Sequence, residues 1–95
     1  GLGRLLADGL LGGLDPADPF HRELAGTALA HLDHGGRVAA TAAALHVHAN
    51  TVKYRARRFQ ELTGRPLLDP SGGAAVARAA HLWWALRHWL AETRP

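Results

Sequence analysis

The 95-residue chain reads as all-α. Three observations predict that class. Apolar residues recur at three- and four-residue spacing, no stretch alternates with the two-residue period of a strand, and glycine and proline separate the apolar stretches. The expected architecture is a three-helix core with a flanking N-terminal helix and a long C-terminal helix.

Leu2, Leu5, Leu6 and Leu10 place the flanking helix over roughly 3–12, weakened by Gly9, Gly12 and Gly13. The run Asp15-Pro16-Ala17-Asp18-Pro19 is a connector whose end starts the next helix: Asp18 suits an N-cap, and Pro19 the first helical position. That helix, about 19–34, carries Leu24, Ala25, Ala28, Leu29 and Leu32 on one broad face. Gly35-Gly36 stops it, because glycine takes the left-handed cap conformation without steric cost. A short helix over about 37–45 turns Val38, Ala42 and Leu45 inward. His46-Val47-His48 makes a tight turn, and a further helix runs from about 49 to 63, ended by Gly64. Asp69-Pro70 repeats the cap-and-proline signal before a last helix, about 73–92, with Val76, Ala79, Trp83, Leu86 and Leu90 on one side.

Short helix, three-residue turn and basic helix form the bihelical unit in which the second helix enters the DNA major groove. Ala39, Ala42 and Ala43 are small enough for the two helices to cross closely, and Val47 supplies an apolar plug in the turn. At about 100° per residue, Val52, Ala56, Phe59 and Ala49 share an inward stripe. On the same wheel Lys53, Arg57, Asn50 and Tyr54 share the opposite face, with Arg58 and Thr51 on one flank. His46 occupies a turn position that favours glycine, and histidine tolerates a left-handed backbone better than most residues.

The segment 50–58 holds the chain's only Asn (Asn50), only Lys (Lys53) and only Tyr (Tyr54). Charge follows the same segment. Residues 50–65 carry five basic groups against one acid, while the remainder carries six against seven. A local excess of this kind is the electrostatic footprint expected for nucleic acid. His48, Asn50, Thr51, Lys53 and Tyr54 lie nearest the helix N-terminus and suit base edges; Arg55, Arg57 and Arg58 suit phosphates. Four or five neutralised phosphates imply a log-affinity slope of roughly −4 against log salt for one copy.

With these residues in view, a resemblance appears. The run from Gly35 to Arg55, with its His-Val-His-Ala-Asn-Thr-Val-Lys-Tyr-Arg string, resembles the C-terminal helix-turn-helix of the PucR/CdaR family of bacterial transcriptional regulators, as does Arg58 to Gly64 followed by Leu67 to Pro70. The resemblance covers roughly residues 22–90 and implies sequence-specific binding of double-stranded DNA as a regulator's output domain. It also implies that residues 1–18 are the tail of an upstream, metabolite-sensing domain with its connector, and that 19–95 form the DNA-binding domain. The start at Gly-Leu-Gly, without Met, fits a fragment of a longer protein. The chain departs from the family pattern at Ala49, where a basic residue is usual, and at Ala56, where a larger aliphatic is usual.

Other functions find less support in the residues. The absence of Cys removes disulfides and thiolate chemistry, and fits a cytoplasmic location. Arg78, His81, Arg87 and His88 interrupt the apolar stretch Ala74 to Ala91, which excludes a membrane span there. Neither His31/His34 nor His46/His48 has the carboxylate that would complete a metal site, and no cofactor is expected. A lone Ser71 in a Gly-rich connector and no phosphate-cradling glycine motif argue against an enzyme. The apolar arc of Trp83, Trp84, Leu86, Trp89 and Leu90 exceeds one packed face, so one flank is expected to meet a partner subunit, in a homodimer, or the upstream domain. The alternative reading is a helical protein-interaction module using the basic helix and this Trp-rich helix.

Overall fold

The computed structural model describes residues 9–65 and 74–93, leaving aside the side chains of 74–78. The expected helix over residues 3–8, the Asp69-Pro70 cap and the inward Val76 lie outside the described residues. Gly9 and Leu10 are helical, the helix ending two residues before expected, with a bend at Leu11. Four helices follow: α1 (Pro19–Asp33), α2 (Val38–Leu45), α3 (Ala49–Thr63) and α4 (Ala74–Glu92). The fold is all-α. Helix α1 is its hub, packing against α2, α3 and α4, while α2 packs on α3.

Each helix ends where local chemistry provides for its unpaired backbone groups. Asp18 caps α1 through a side-chain oxygen that accepts from the Phe20 amide at 2.9 Å, with Pro19 in the first turn. Such a cap contributes about 1 kcal/mol. The connector is pinned to that turn, since the Asp15 amide donates to His21 Nδ1 at 2.8 Å. At the other end the Gly36 amide reaches the His31 carbonyl at 2.8 Å and the Gly35 amide the Leu32 carbonyl at 3.1 Å. Both glycines have positive φ, 64° and 80°. This paired closure satisfies two carbonyls of the last turn.

Among the described residues most of the core is one apolar cluster. Helix α1 contributes Leu24, Ala25 and Ala28; α3 contributes Ala56 and Phe59; α4 contributes Leu82, Ala85, Leu86 and Trp89. Leu29 and Leu32 pack against it while only partly buried, and Thr27 and His31 of α1 are buried where only apolar residues had been expected. The Thr27 hydroxyl donates to the Glu23 carbonyl one turn back at 2.9 Å, which makes its burial tolerable. On α2 the buried residues are Thr41 and Ala42, with Val38 and Leu45 half-buried. The Thr41 hydroxyl uses the same device, donating to the Arg37 carbonyl at 2.7 Å.

The buried face of α4 differs from the expected one. Leu82, Ala85, Leu86 and Trp89 face inward, whereas Ala79, Trp83 and Leu90 are half-buried. The inward face lies roughly a quarter-turn from the stripe through Trp83, at about 100° per residue. Apolar residues cover so much of this helix that its periodicity allows several inward faces, and α1 selects one.

Residues 11–14 also join the core: Leu11 and Leu14 are buried within it. Between them Gly13 passes against the end of α3 so closely that a Cβ there would sit 1.8 Å from the Leu62 carbonyl oxygen. Only glycine permits that approach.

Candidate nucleic-acid interface

The two faces of α3 separate cleanly. Val52, Ala56 and Phe59 are buried, and Asn50, Lys53, Tyr54 and Arg57 are exposed on the opposite side. Ala49 and Thr51 are half-buried on the flanks. The small Ala56 does not lift α3 off its support, because Phe59 beside it in sequence register is wholly buried. Tyr54 is 56% exposed, and its ring leans on Phe20 of α1 with 6.3 Å between centroids. The ring is thus steadied on one side while more than half of the residue stays open.

The cations of this segment fall into three groups. Lys53 and Arg57 are exposed and make no ion pair or hydrogen bond among the described residues. Arg58 pairs with Glu61 along the same helix at 3.0 Å, both side chains well exposed. An exposed pair of this kind is worth under about 1 kcal/mol and yields readily to a phosphate. Arg55 and Arg65 are engaged elsewhere. Arg55 Nη1 donates to the Thr27 hydroxyl at 3.2 Å, and Nη2 lies 3.6 Å from the Glu23 carboxylate, leaving its side chain only 20% exposed. Its guanidinium therefore turns back onto α1 rather than outward, contrary to its expected place at a phosphate. Arg65 donates to the Gly9 carbonyl at 3.3 Å.

The turn that sets α3 relative to α2 is closed by two backbone bonds. The Val47 amide donates to the Ala42 carbonyl at 3.0 Å and the His46 amide to the Ala43 carbonyl at 3.3 Å. His46 sits at φ 56°, ψ 43°, the only non-glycine residue with positive φ among the described residues. His48 then serves as N-cap of α3: its Nδ1 accepts from the Asn50 amide at 3.0 Å. Sequence reasoning placed His48 near base edges but missed the cap, because Ser, Thr, Asp and Asn are the usual signals. Gly64, at φ 70°, closes the far end of α3.

The aromatic arc of α4 divides. Leu86 and Trp89 are buried in this chain's own core, so they do not face outward as an interface would require. Leu90 is half-buried against the same core. Trp83 is half-buried, donating its indole N–H to Asp33 at 2.7 Å, with the Arg87 guanidinium 4.8 Å from its ring centroid. Trp84, stacked on Trp83, is 52% exposed.

Among the described residues no group of three or more His, Asp or Glu side chains lies close enough to hold a metal ion. His34 Nδ1 is 2.7 Å from the Ala30 carbonyl, and His48 Nδ1 is occupied as a cap. No described helix is long and apolar enough to cross a membrane.

Comparison with known proteins bears on the same segment. Residues 24–88 match the family described as the PucR C-terminal helix-turn-helix domain. The chain is 37% identical over 81 residues to the transcriptional activator PmfR of Paenarthrobacter nicotinovorans, a match covering 85% of this chain and 15% of that protein. It is 43% identical over 51 residues to uncharacterized proteins of Mycobacterium tuberculosis and Mycobacterium bovis, covering 54% of this chain and 12% of each. The chain thus spans a small part of the length of these relatives. No solved structure matches it.

Proposed function

The chain belongs to the PucR C-terminal helix-turn-helix domain family, the DNA-binding output domain of a transcriptional regulator, and on that premise we propose that α3 lies in the major groove of a specific operator while α2 crosses the backbone. The observation that carries this reading is the ridge of Asn50, Lys53, Tyr54 and Arg57, exposed together on a helix whose opposite face is fully buried. A helix seated so firmly presents its outward side chains in a fixed register, which groove readout demands.

In this reading His48, Asn50, Thr51 and Tyr54 meet base edges, and Lys53, expected at a base edge, is reassigned with Arg57 and Arg58 to phosphates, which an ammonium binds as a point charge. Arg55 is a positioning residue that holds α3 on α1. Three cations per copy give a log-affinity slope near −3 against log salt, at about 0.9 per phosphate, shallower than the −4 expected from the sequence. One copy then binds weakly. Two copies reading half-sites about 34 Å apart double the slope and add specificity. Trp84, with Trp83 behind it, is the outward apolar point of α4 and the contact proposed for such a homodimer. Transcription regulation is the function carried to this chain from the Paenarthrobacter relative's name, and a sensory domain upstream and a cytoplasmic location are proposed with it.

Selection of bound duplexes from a random pool, followed by footprinting, tests the reading. A defined sequence that loses one base preference by roughly 1–3 kcal/mol in Asn50→Ala is the expected result. Equal binding to all duplexes and to an acidic polymer such as heparin would favour the interaction module instead.

A further inference from the structure

The cap at the start of α3 has a chemical consequence for what that helix reads. His48 Nδ1 accepts from the Asn50 amide at 3.0 Å, so Nδ1 must carry a lone pair. A neutral imidazole bears one hydrogen, which then resides on Nε2. His34 shows the reverse: its Nδ1 lies 2.7 Å from the Ala30 carbonyl, an acceptor, so there the hydrogen is on Nδ1. In each case the backbone partner selects the tautomer.

His48 is exposed, and its Nε2 makes no hydrogen bond among the described residues. It stands immediately before α3, at φ −71° and ψ 149°, at the end of a recognition helix that meets base edges. We infer that His48 is a specificity-determining residue whose Nε2–H is a single fixed donor, reading an acceptor edge, guanine best, at a base pair neighbouring the one read by Asn50. The inference rests on the major-groove reading of α3.

The groove code gives the preference its sign. Guanine presents two acceptors, N7 and O6; adenine sets its N7 beside an amino donor; cytosine presents an amino donor. A side chain with one donor and no available acceptor gains most at guanine and meets like against like at cytosine. Asn50, which carries both a donor and an acceptor, is suited to adenine instead. The two residues thus divide the purines between them.

The experiment compares the protein with His48→Ser and Asn50→Ala by selection from one random duplex pool at one salt concentration, with thermal melting alongside. Serine is a strong N-cap, so His48→Ser keeps the start of α3 while withdrawing the imidazole. The expected result is an unchanged or higher Tm and the loss of a guanine preference at one position. That loss is roughly 5- to 150-fold, the span of one base contact. The position differs from the one relaxed in Asn50→Ala. An unaltered guanine preference in His48→Ser overturns the inference. So does a uniform fall in affinity at every position, which reassigns the donor to a phosphate. If the unmodified protein selects no sequence, the major-groove reading itself fails, a result separate from either.

Discussion

Arg55 reaches from α3 to α1, where its Nη1 donates to the Thr27 hydroxyl across 3.2 Å. The same hydroxyl donates onward to the Glu23 carbonyl at 2.9 Å, and the Glu23 carboxylate lies 3.6 Å from the guanidinium. Two consecutive turns of α1 therefore hold one side chain of α3. Arg55→Ala is expected to lower stability by about 1 kcal/mol, because Thr27 keeps its own carbonyl acceptor and no buried group is orphaned. For a domain of this size that is a fall of roughly 4–8 °C in Tm. The salt slope of DNA binding should stay the same, and a flattening by a full unit would place Arg55 on a phosphate after all.

Lys53 and Arg57 predict the opposite pattern. Both are exposed and unengaged among the described residues, so neither contributes to holding the fold. Alanine at either position should leave Tm within a degree or so while flattening the salt slope by about 0.9. Binding titrations from low to moderate salt measure this directly. If neither substitution moves the slope, the cationic ridge does not touch the duplex.

Glu61 holds Arg58 at 3.0 Å on an exposed surface, so under the proposed function it competes with DNA for that cation. Glu61→Gln removes that competition together with one negative charge near the phosphates. Affinity should rise by roughly two- to fivefold at low salt, the worth of an exposed ion pair, and the gain should fade as salt is added. A fall in affinity would show that the pair orients Arg58 productively.

His46 holds the left-handed conformation at the centre of the turn between α2 and α3. That geometry costs an ordinary L-residue about 1–2 kcal/mol, and glycine adopts it freely. His46→Gly should raise stability by about 1 kcal/mol once the extra freedom of the unfolded chain is offset. Thermal melting decides the sign. Unchanged base preference would show that the ring at 46 takes no part in recognition.

Two glycines should respond with opposite signs. Alanine at Gly13 would drive a methyl group into the Leu62 carbonyl, at 1.8 Å, and neither backbone can yield alone. A loss of about 3 kcal/mol is expected. Gly26, inside α1, has nothing within 4 Å of where a Cβ would stand. Gly26→Ala should therefore stabilise by about 1 kcal/mol through helix propensity. Denaturant midpoints for the pair test both at once.

Helix boundaries were readable because local chemistry sets them. The Asp18-Pro19 start, the Gly35-Gly36 stop and the Gly64 stop all act over a few residues, and α3 spans 49–63 as expected. The inward and outward faces of α3 were equally legible, since its apolar stripe is narrow and its polar face distinct. What escaped depends on neighbours distant in sequence. Arg55 lies about 60° from Val52 on the helical wheel, close enough to the inward stripe to meet another helix. Only the position of α1 reveals that Thr27 and Glu23 await it there. The rotation of α4 escaped for the contrary reason, an excess of apolar residues that leaves periodicity without a preferred direction. Leu11 and Leu14 joined the core unannounced, because a four-residue bend has no period to detect.

The entering backbone meets the tail of α3 at two places, Gly13 beneath Leu62 and the Gly9 carbonyl under Arg65. The end of α3 gripped in this way is the one farthest from Asn50. The direction in which α3 points is thus set in part by residues 9–14, which precede the first complete helix.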